Sequence, residues 1–206
     1  MAKMESTLKN MVLSLTLISM AMVAGLGFVY ELTKDTIAKA EKQKEVSAVK
    51  DVLPSFDNNP IAEMKEIDGL TFYPAKKNGQ SVGCAVKTFT NKAFSGRFDL
   101  MVGFLADGTI KTIVVLEQKE TPGLGAKMTE PKFKNQFNGK NPAQFSLLVK
   151  KDGGKVDAIS AATISSRAFC DGVQKAYDLY MKNFVHSTSG EAAKSDSTAV
   201  KGGTHE

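Results

Sequence analysis

Residues 10–30 carry no charged side chain, and Lys9 and Glu31 bracket them. The run is apolar on every helical face, which fits hydrocarbon better than the half-buried surface of a soluble core. About 20 helical residues cross a bilayer, and this run is long enough. A cleaved signal peptide is the main competitor. The run is longer than a typical apolar signal region, no clear A-x-A cleavage site follows it, and it has no cysteine to accept a lipid. The reading is one transmembrane helix over residues 10–30, preceded by a short segment over 1–9. Everything after it must fold at a membrane surface.

Charge does not settle which surface. Lys3 and Lys9 precede the span, whereas Lys34, Lys39, Lys42, Lys44 and Lys50 follow it. A count of positive residues puts the C-terminal side in the cytoplasm. Glu31, Asp35, Glu41 and Glu45 are interspersed with those lysines, and long domains translocate largely regardless of charge.

Residues 31–54 read as a juxtamembrane helix continuing out of the span, with Ile37, Ala40, Val46, Val49 and Leu53 among its apolar positions and Pro54 ending it. A turn-rich break over 55–60 opens a domain over 55–186. Strands are expected at 70–74 and at 81–90, with Val82, Cys84, Val86 and Thr88 on one face of the second. Residues 98–105 and 110–116 flank Asp107-Gly108, a strong hairpin signal. A short helix is expected over 131–137, with Pro131 at its first position. Two further strands are expected at 145–150 and 156–159, around Asp152-Gly153-Gly154. A second clear helix covers 165–184, where Phe169, Val173, Ala176, Tyr177, Tyr180 and Phe184 recur at helical spacing. That stripe reads as core packing. Residues 187–206 are expected to be a disordered tail, with no aromatic residue and Val200 as the single large aliphatic. The fold class is α+β: a single N-terminal transmembrane helix, then an antiparallel sheet with packed helices.

Composition removes several functions. Of the 206 residues, 42% are hydrophobic and 24% charged, enough for a buried core. The net charge of +5 is spread along the chain with no aromatic–basic stripe, so nucleic acid is not an expected partner. Cys84 and Cys170 lie far apart, and His186 and His205 lie at or near the C-terminal tail. No CxxC or His-x-His spacing supports zinc or an iron–sulfur cluster, so no metal is expected. The cysteines read as buried free thiols; a disulfide requires the fold to bring them together. There is no P-loop, no GxGxxG after a strand and no Ser-His-Asp system.

Two segments remain. Glu117-Gln118-Lys119-Glu120-Thr121-Pro122-Gly123-Leu124-Gly125 follows directly on a strand. Gly123 and Gly125 flank Leu124, so the backbone can approach a flat ligand. Taken alone, an ordinary Thr-Pro-Gly turn explains it as well. Asp157-Ala158-Ile159-Ser160-Ala161-Ala162-Thr163-Ile164-Ser165-Ser166 is strand-like and then rich in small and hydroxylated residues ahead of the helix. A helix cap at Ser160 or Thr163 accounts for one hydroxyl. The whole set fits a phosphate site, where hydroxyls and helix-start amides bind oxygens. Lys155 and Arg167 are candidates to add charge.

Asp157-Ala158-Ile159-Ser160-Ala161-Ala162-Thr163 resembles the flavinylation motif of the FMN-binding domain family, in which Asp, two variable residues, Ser or Thr, Gly, Ala and Thr follow in order. The resemblance implies one FMN, joined through its phosphate to Thr163 by a separate flavin transferase that uses FAD. Glu120-Thr121-Pro122-Gly123-Leu124-Gly125 resembles a loop that lies near the flavin ring in the G subunit of the Rnf complex and the C subunit of the sodium-pumping NADH:quinone reductase. The layout of one span and one domain is similar too, and the resemblance covers nearly all of residues 1–185. The departure is Ala161, where the family usually has glycine. The implied cofactor-binding residues are Thr163 with Ser160, Ala161, Ala162, Ser165 and Ser166 around the link, and Glu120, Thr121, Gly123 and Leu124 in the ring loop.

The implied function is a membrane-anchored electron-transfer subunit of an Rnf-type ion-translocating ferredoxin:NAD oxidoreductase. It has no catalytic residues of its own and works with other membrane and redox subunits. The implied location is the bacterial inner membrane with the main domain periplasmic or extracytoplasmic, against the lysine count. The short length resembles the Rnf protein more than its quinone-reductase counterpart. The alternatives are that quinone-reductase counterpart, a non-flavinylated membrane-anchored binding module, and a stand-alone reductase, for which no donor site is visible.

Overall fold

The computed structural model describes residues 7–185; the tail expected over 187–206 lies outside them. The described residues fall into two compact units, one through Lys44 and one from Glu45. Helix α1 runs Leu8–Val52 and contains the only helix window, among the described residues, long and apolar enough to cross a membrane. Its apolar side chains, Leu13, Ile18 and Phe28 among them, are exposed, as they must be to meet lipid. Ser14 and Thr16 donate to the carbonyls of Met11 and Val12, so these hydroxyls are satisfied within the helix and need no water.

In the second unit, strands β1 (Lys65–Ile67), β2 (Leu70–Lys77), β3 (Gln80–Ala93), β4 (Gly96–Leu105) and β5 (Ile110–Glu117) form an antiparallel meander in sequence order. Asp68-Gly69 and Asn78-Gly79 make the first two turns with both residues at positive φ, the type I′ pattern that matches strand twist. Strand β1, three residues at the sheet edge, is not among the sequence expectations. Helix α2 (Pro131–Lys134) is shorter than expected, and helix α3 runs Thr163–Tyr180, continued by a π-helical turn at Met181–Val185.

Alternation along the strands gives the sheet two buried faces. On one, Phe72, Val86, Leu100, Val102 and Phe104 pack against the Phe169, Val173, Tyr177 and Tyr180 stripe of α3. On the other, Tyr73, Ala75, Ala85 and Met101 pack against Ala48, Val49, Val52 and Leu53 at the end of α1. Glu45 ties that end down, accepting from the Tyr73 hydroxyl and from Lys87. Burial and the Glu45 carboxylate push the Tyr73 phenol above its ordinary value.

Two expectations are corrected. Val82 packs with the α1-side cluster and not with Cys84 and Val86. The register shifts between Ala75 and Lys76, whose partners are Gly83 and Ser81; Val82 is the extra bulge residue, and alternation changes sense there. Residues 145–150 and 156–159 are not sheet strands. They meet in a single parallel bridge, Val149 to Val156, around a 3₁₀ turn at Lys150–Asp152. A Cβ at Gly154 would overlap the Leu148 carbonyl, so the chain returns too closely to open a ladder. Leu147, Val149, Val156 and Ile159 plug the α3-side core instead.

Cys84 and Cys170 are both free and buried. Burial pushes each thiol up to about 12, which suppresses the reactive thiolate. The native protein should therefore show no thiol titratable by an aromatic disulfide reagent, and both should titrate after denaturation. A fast-reacting thiol in the folded protein would contradict the packing.

Candidate flavin site

The chain enters α3 through a tight turn. The Ala162 amide donates to the Ile159 carbonyl at 3.0 Å, and Ala161 between them has φ 59°. That left-handed conformation is strained for any residue with a Cβ, by roughly 1–2 kcal/mol. Glycine, the usual residue of the resembled motif here, is free of that penalty. Ala161→Gly should raise stability by about 1 kcal/mol, a Tm gain of about 2–4 °C. An unchanged or lower Tm would show that the turn is not strained.

Neither Ser160 nor Thr163 caps α3, contrary to the cap reading. The N-cap residue is Ala162, with no side-chain cap. Closure comes from inside the helix: the Ser166 hydroxyl donates to the Ala162 carbonyl and accepts from the Ile159 amide, both at 2.9 Å. Ser166 is fully buried and structural in its contacts. The left-handed turn leaves Ser160 exposed and Thr163, the first helical residue, half-buried. Among the described residues no hydrogen bond engages the Thr163 hydroxyl.

Thr163 lines a cleft of about 350 Å³, at the small end of the range for small-molecule sites. The two sequence segments meet in it: Ala161, Ala162 and Ser165 from one, Glu120, Thr121 and Leu124 from the other. The Ser165 hydroxyl donates to Glu120 Oε2 at 2.7 Å. Gly123 (φ 79°) shapes the loop turn but lies outside the lining, as does Ser166; Ser160 lines the neighbouring depression with Lys127 and Gln136.

Three lining residues were not among the implied binding residues: Gly125 and Ile164, inside the two segments, and Phe94, outside both. Phe94 occupies the two-residue tip of the β3–β4 hairpin, where Ala93 pairs with Gly96, and is 72% exposed. With Leu124 and Ile164, also exposed, it gives the cleft apolar edges. The signal was available: a large aromatic at a tight, otherwise small and polar turn has no packing reason to be there.

The expected phosphate-side cations are elsewhere. Arg167 holds Asp152 through two bonds of 2.7 and 2.6 Å, and Lys155 lies over the Phe145 ring. The cleft lining includes no lysine or arginine. No cluster among the described residues can hold a metal.

A model of the FMN-binding domain matches residues 94–178, from the hairpin tip through most of α3. The G subunit of an ion-translocating oxidoreductase complex from Aliivibrio fischeri is 32% identical over 86% of this chain and 92% of its own length. The G subunit of the Na⁺-translocating ferredoxin:NAD⁺ oxidoreductase complex of Acetobacterium woodii is 31% identical over 82% and 89%. The chain belongs to the G-subunit family of ion-translocating oxidoreductase complexes. It is thus a redox subunit of a translocase, built on an FMN-binding domain. With its long apolar helix and relatives drawn from ion-translocating complexes, this family member is membrane-anchored. A solved structure of the C subunit of the Na⁺-translocating NADH-quinone reductase from Parabacteroides distasonis is 24% identical, with TM-score 0.47, over 65% of this chain and 78% of that one.

Proposed function

We propose that Thr163 carries one FMN through a phosphoester and that the chain passes electrons within an Rnf-type ferredoxin:NAD oxidoreductase, its domain on the extracytoplasmic side. The observation that carries the reading is the Thr163 hydroxyl: unengaged among the described residues, at the start of α3, in a cleft without a lysine or arginine. The helix-start amides and dipole favour phosphate oxygens. With no side-chain cation to hold a dissociable phosphate, a covalent bond is what keeps the cofactor on the domain.

In the attachment step the Thr163 Oγ forms a bond to the flavin-side phosphorus of FAD. The pyrophosphate bond breaks, AMP leaves, and the hydroxyl proton passes to a base of the flavin transferase. No electron moves. Bound FMN then supplies electron-transfer chemistry. Phe94, Leu124 and Ile164 offer apolar surface to a flat ring, while Ala161 and Ala162 keep the backbone open near the phosphate.

A relative matched over most of its length is named as a subunit of a ferredoxin:NAD⁺ oxidoreductase complex, which supports that complex over the quinone reductase. Intact-mass spectrometry on protein from its native membrane tests the cofactor reading. The expected result is one added FMN, mapped to the Thr163 peptide; an unmodified mass would instead fit a non-flavinylated binding module.

A further inference from the structure

Glu120 is a carboxylate only 6% exposed, and no ion pair among the described residues includes it. Burying a charge without a cation is expensive unless hydrogen bonds compensate. Both oxygens are used, each on a different element. Oε1 accepts from the Ser95 backbone amide at 2.9 Å, in the β3–β4 hairpin tip beside Phe94. Oε2 accepts from the Ser165 hydroxyl at 2.7 Å, in the first turn of α3 beside Thr163 and Ile164. The loop is shaped around the same group: a Cβ at Gly125 would overlap Oε2 and stand 2.9 Å from the Ser165 oxygen. The carboxylate thus joins three walls of the cleft that are distant in sequence.

We propose that Glu120 is a positioning residue that clamps the hairpin tip to the start of α3 and sets a fixed negative charge against the flavin cleft. This rests on the flavin reading of the site. Two consequences follow from one side chain. The clamp holds Phe94 where it edges the cleft, and its bonds to a charged acceptor are the strong kind. The charge, in a partly water-excluded wall, opposes the arrival of an electron on a nearby cofactor and so lowers its potential.

Glu120→Gln and Glu120→Ala separate the two. Glutamine is isosteric; its oxygen can accept from Ser95, and its amide can donate to Ser165, whose hydroxyl also accepts. It removes the charge and keeps the clamp, whereas alanine removes both. Both variants are made in the full chain, co-expressed with the transferase, and compared with wild type by hydrogen exchange at the Ser95 amide and by the flavin midpoint potential. The expected pattern is exchange faster by about tenfold or more in Glu120→Ala, near-wild-type exchange in Glu120→Gln, and a raised potential in Glu120→Gln. Where the alanine variant does not fold, Glu120→Asp, one methylene too short to span both partners, should give the same acceleration.

Unchanged Ser95 exchange in the alanine or aspartate variant overturns the clamp. That readout needs no flavin, so it stands apart from the cofactor reading. An unchanged potential in Glu120→Gln, with flavin present by mass, overturns the electrostatic role. A wild-type protein without flavin overturns the cofactor reading and the electrostatic role with it, and the exchange data still decide the clamp.

Discussion

A Thr163→Val protein, co-expressed with its flavin transferase, is expected to carry no covalent flavin at all. Valine keeps the branched shape at the first position of α3 and removes only the oxygen proposed to form the phosphoester. That hydroxyl makes no hydrogen bond among the described residues, and the helix start is closed by Ser166. The fold should therefore survive, with stability within about 1 kcal/mol of wild type. The readout is close to all-or-none: no fluorescent band on a denaturing gel and no FMN in the intact mass. Ser160→Ala is the control. Ser160 is exposed and lines the adjacent depression, so that variant should keep its flavin. A fluorescent band persisting in Thr163→Val would place the attachment elsewhere and sink the assignment.

Gly103→Ala should destabilise the second unit by about 3 kcal/mol or more, the range of an overpacked core that cannot relax. Gly103 lies on β4 against the end of α1. An added Cβ would overlap the Val52 carbonyl oxygen and stand 2.7 Å from its carbon and 2.8 Å from the Val52 Cβ. Backbone atoms cannot swing aside as a side-chain tip can, so the helix end would have to lift from the sheet and disturb Ala48, Val49 and Leu53 with it. Gly172→Ala gives the contrast within the same unit. Its Cβ would meet Leu100 at 3.5 Å, an ordinary contact, and a helical Gly→Ala change gains up to about 1 kcal/mol. Denaturant titration of both full-length variants should separate them in opposite directions. Equal midpoints would refute the close approach of β4 and α1.

The parts of this molecule legible in its sequence are those governed by short-range rules. The uncharged run, the Asp107-Gly108 hairpin and the aromatic stripe of α3 each follow from local periodicity, and each is where the pattern placed it. The elements misread depend on what the chain meets later. Residues 145–150 and 156–159 have strand-like composition, but they pair with each other only at the Val149–Val156 bridge and became core plugs. Val82 changes face because one bulge residue shifts the register. At the site, the two segments were readable as candidates, and the structure brings them into one cleft. The division of labour among the hydroxyls was not readable. Ser166 closes the helix, Ser165 holds Glu120 and Thr163 is left unengaged, and only the three-dimensional turn at Ala161 decides which serves which purpose.

The order of these elements along the chain has a kinetic meaning. The meander is made of adjacent hairpins, contacts that close early and quickly. One face of the sheet can be covered as soon as it forms, because the end of α1 precedes it in the sequence. The other face waits for α3, which begins at Thr163. In a polypeptide made from its N-terminus, Phe72, Leu100, Val102 and Phe104 therefore wait for α3 from the completion of the sheet until its residues are made, a period when apolar surface invites aggregation. The cleft has walls from residues 94, 120–125 and 161–165, so the proposed attachment site is among the last parts of the domain to exist.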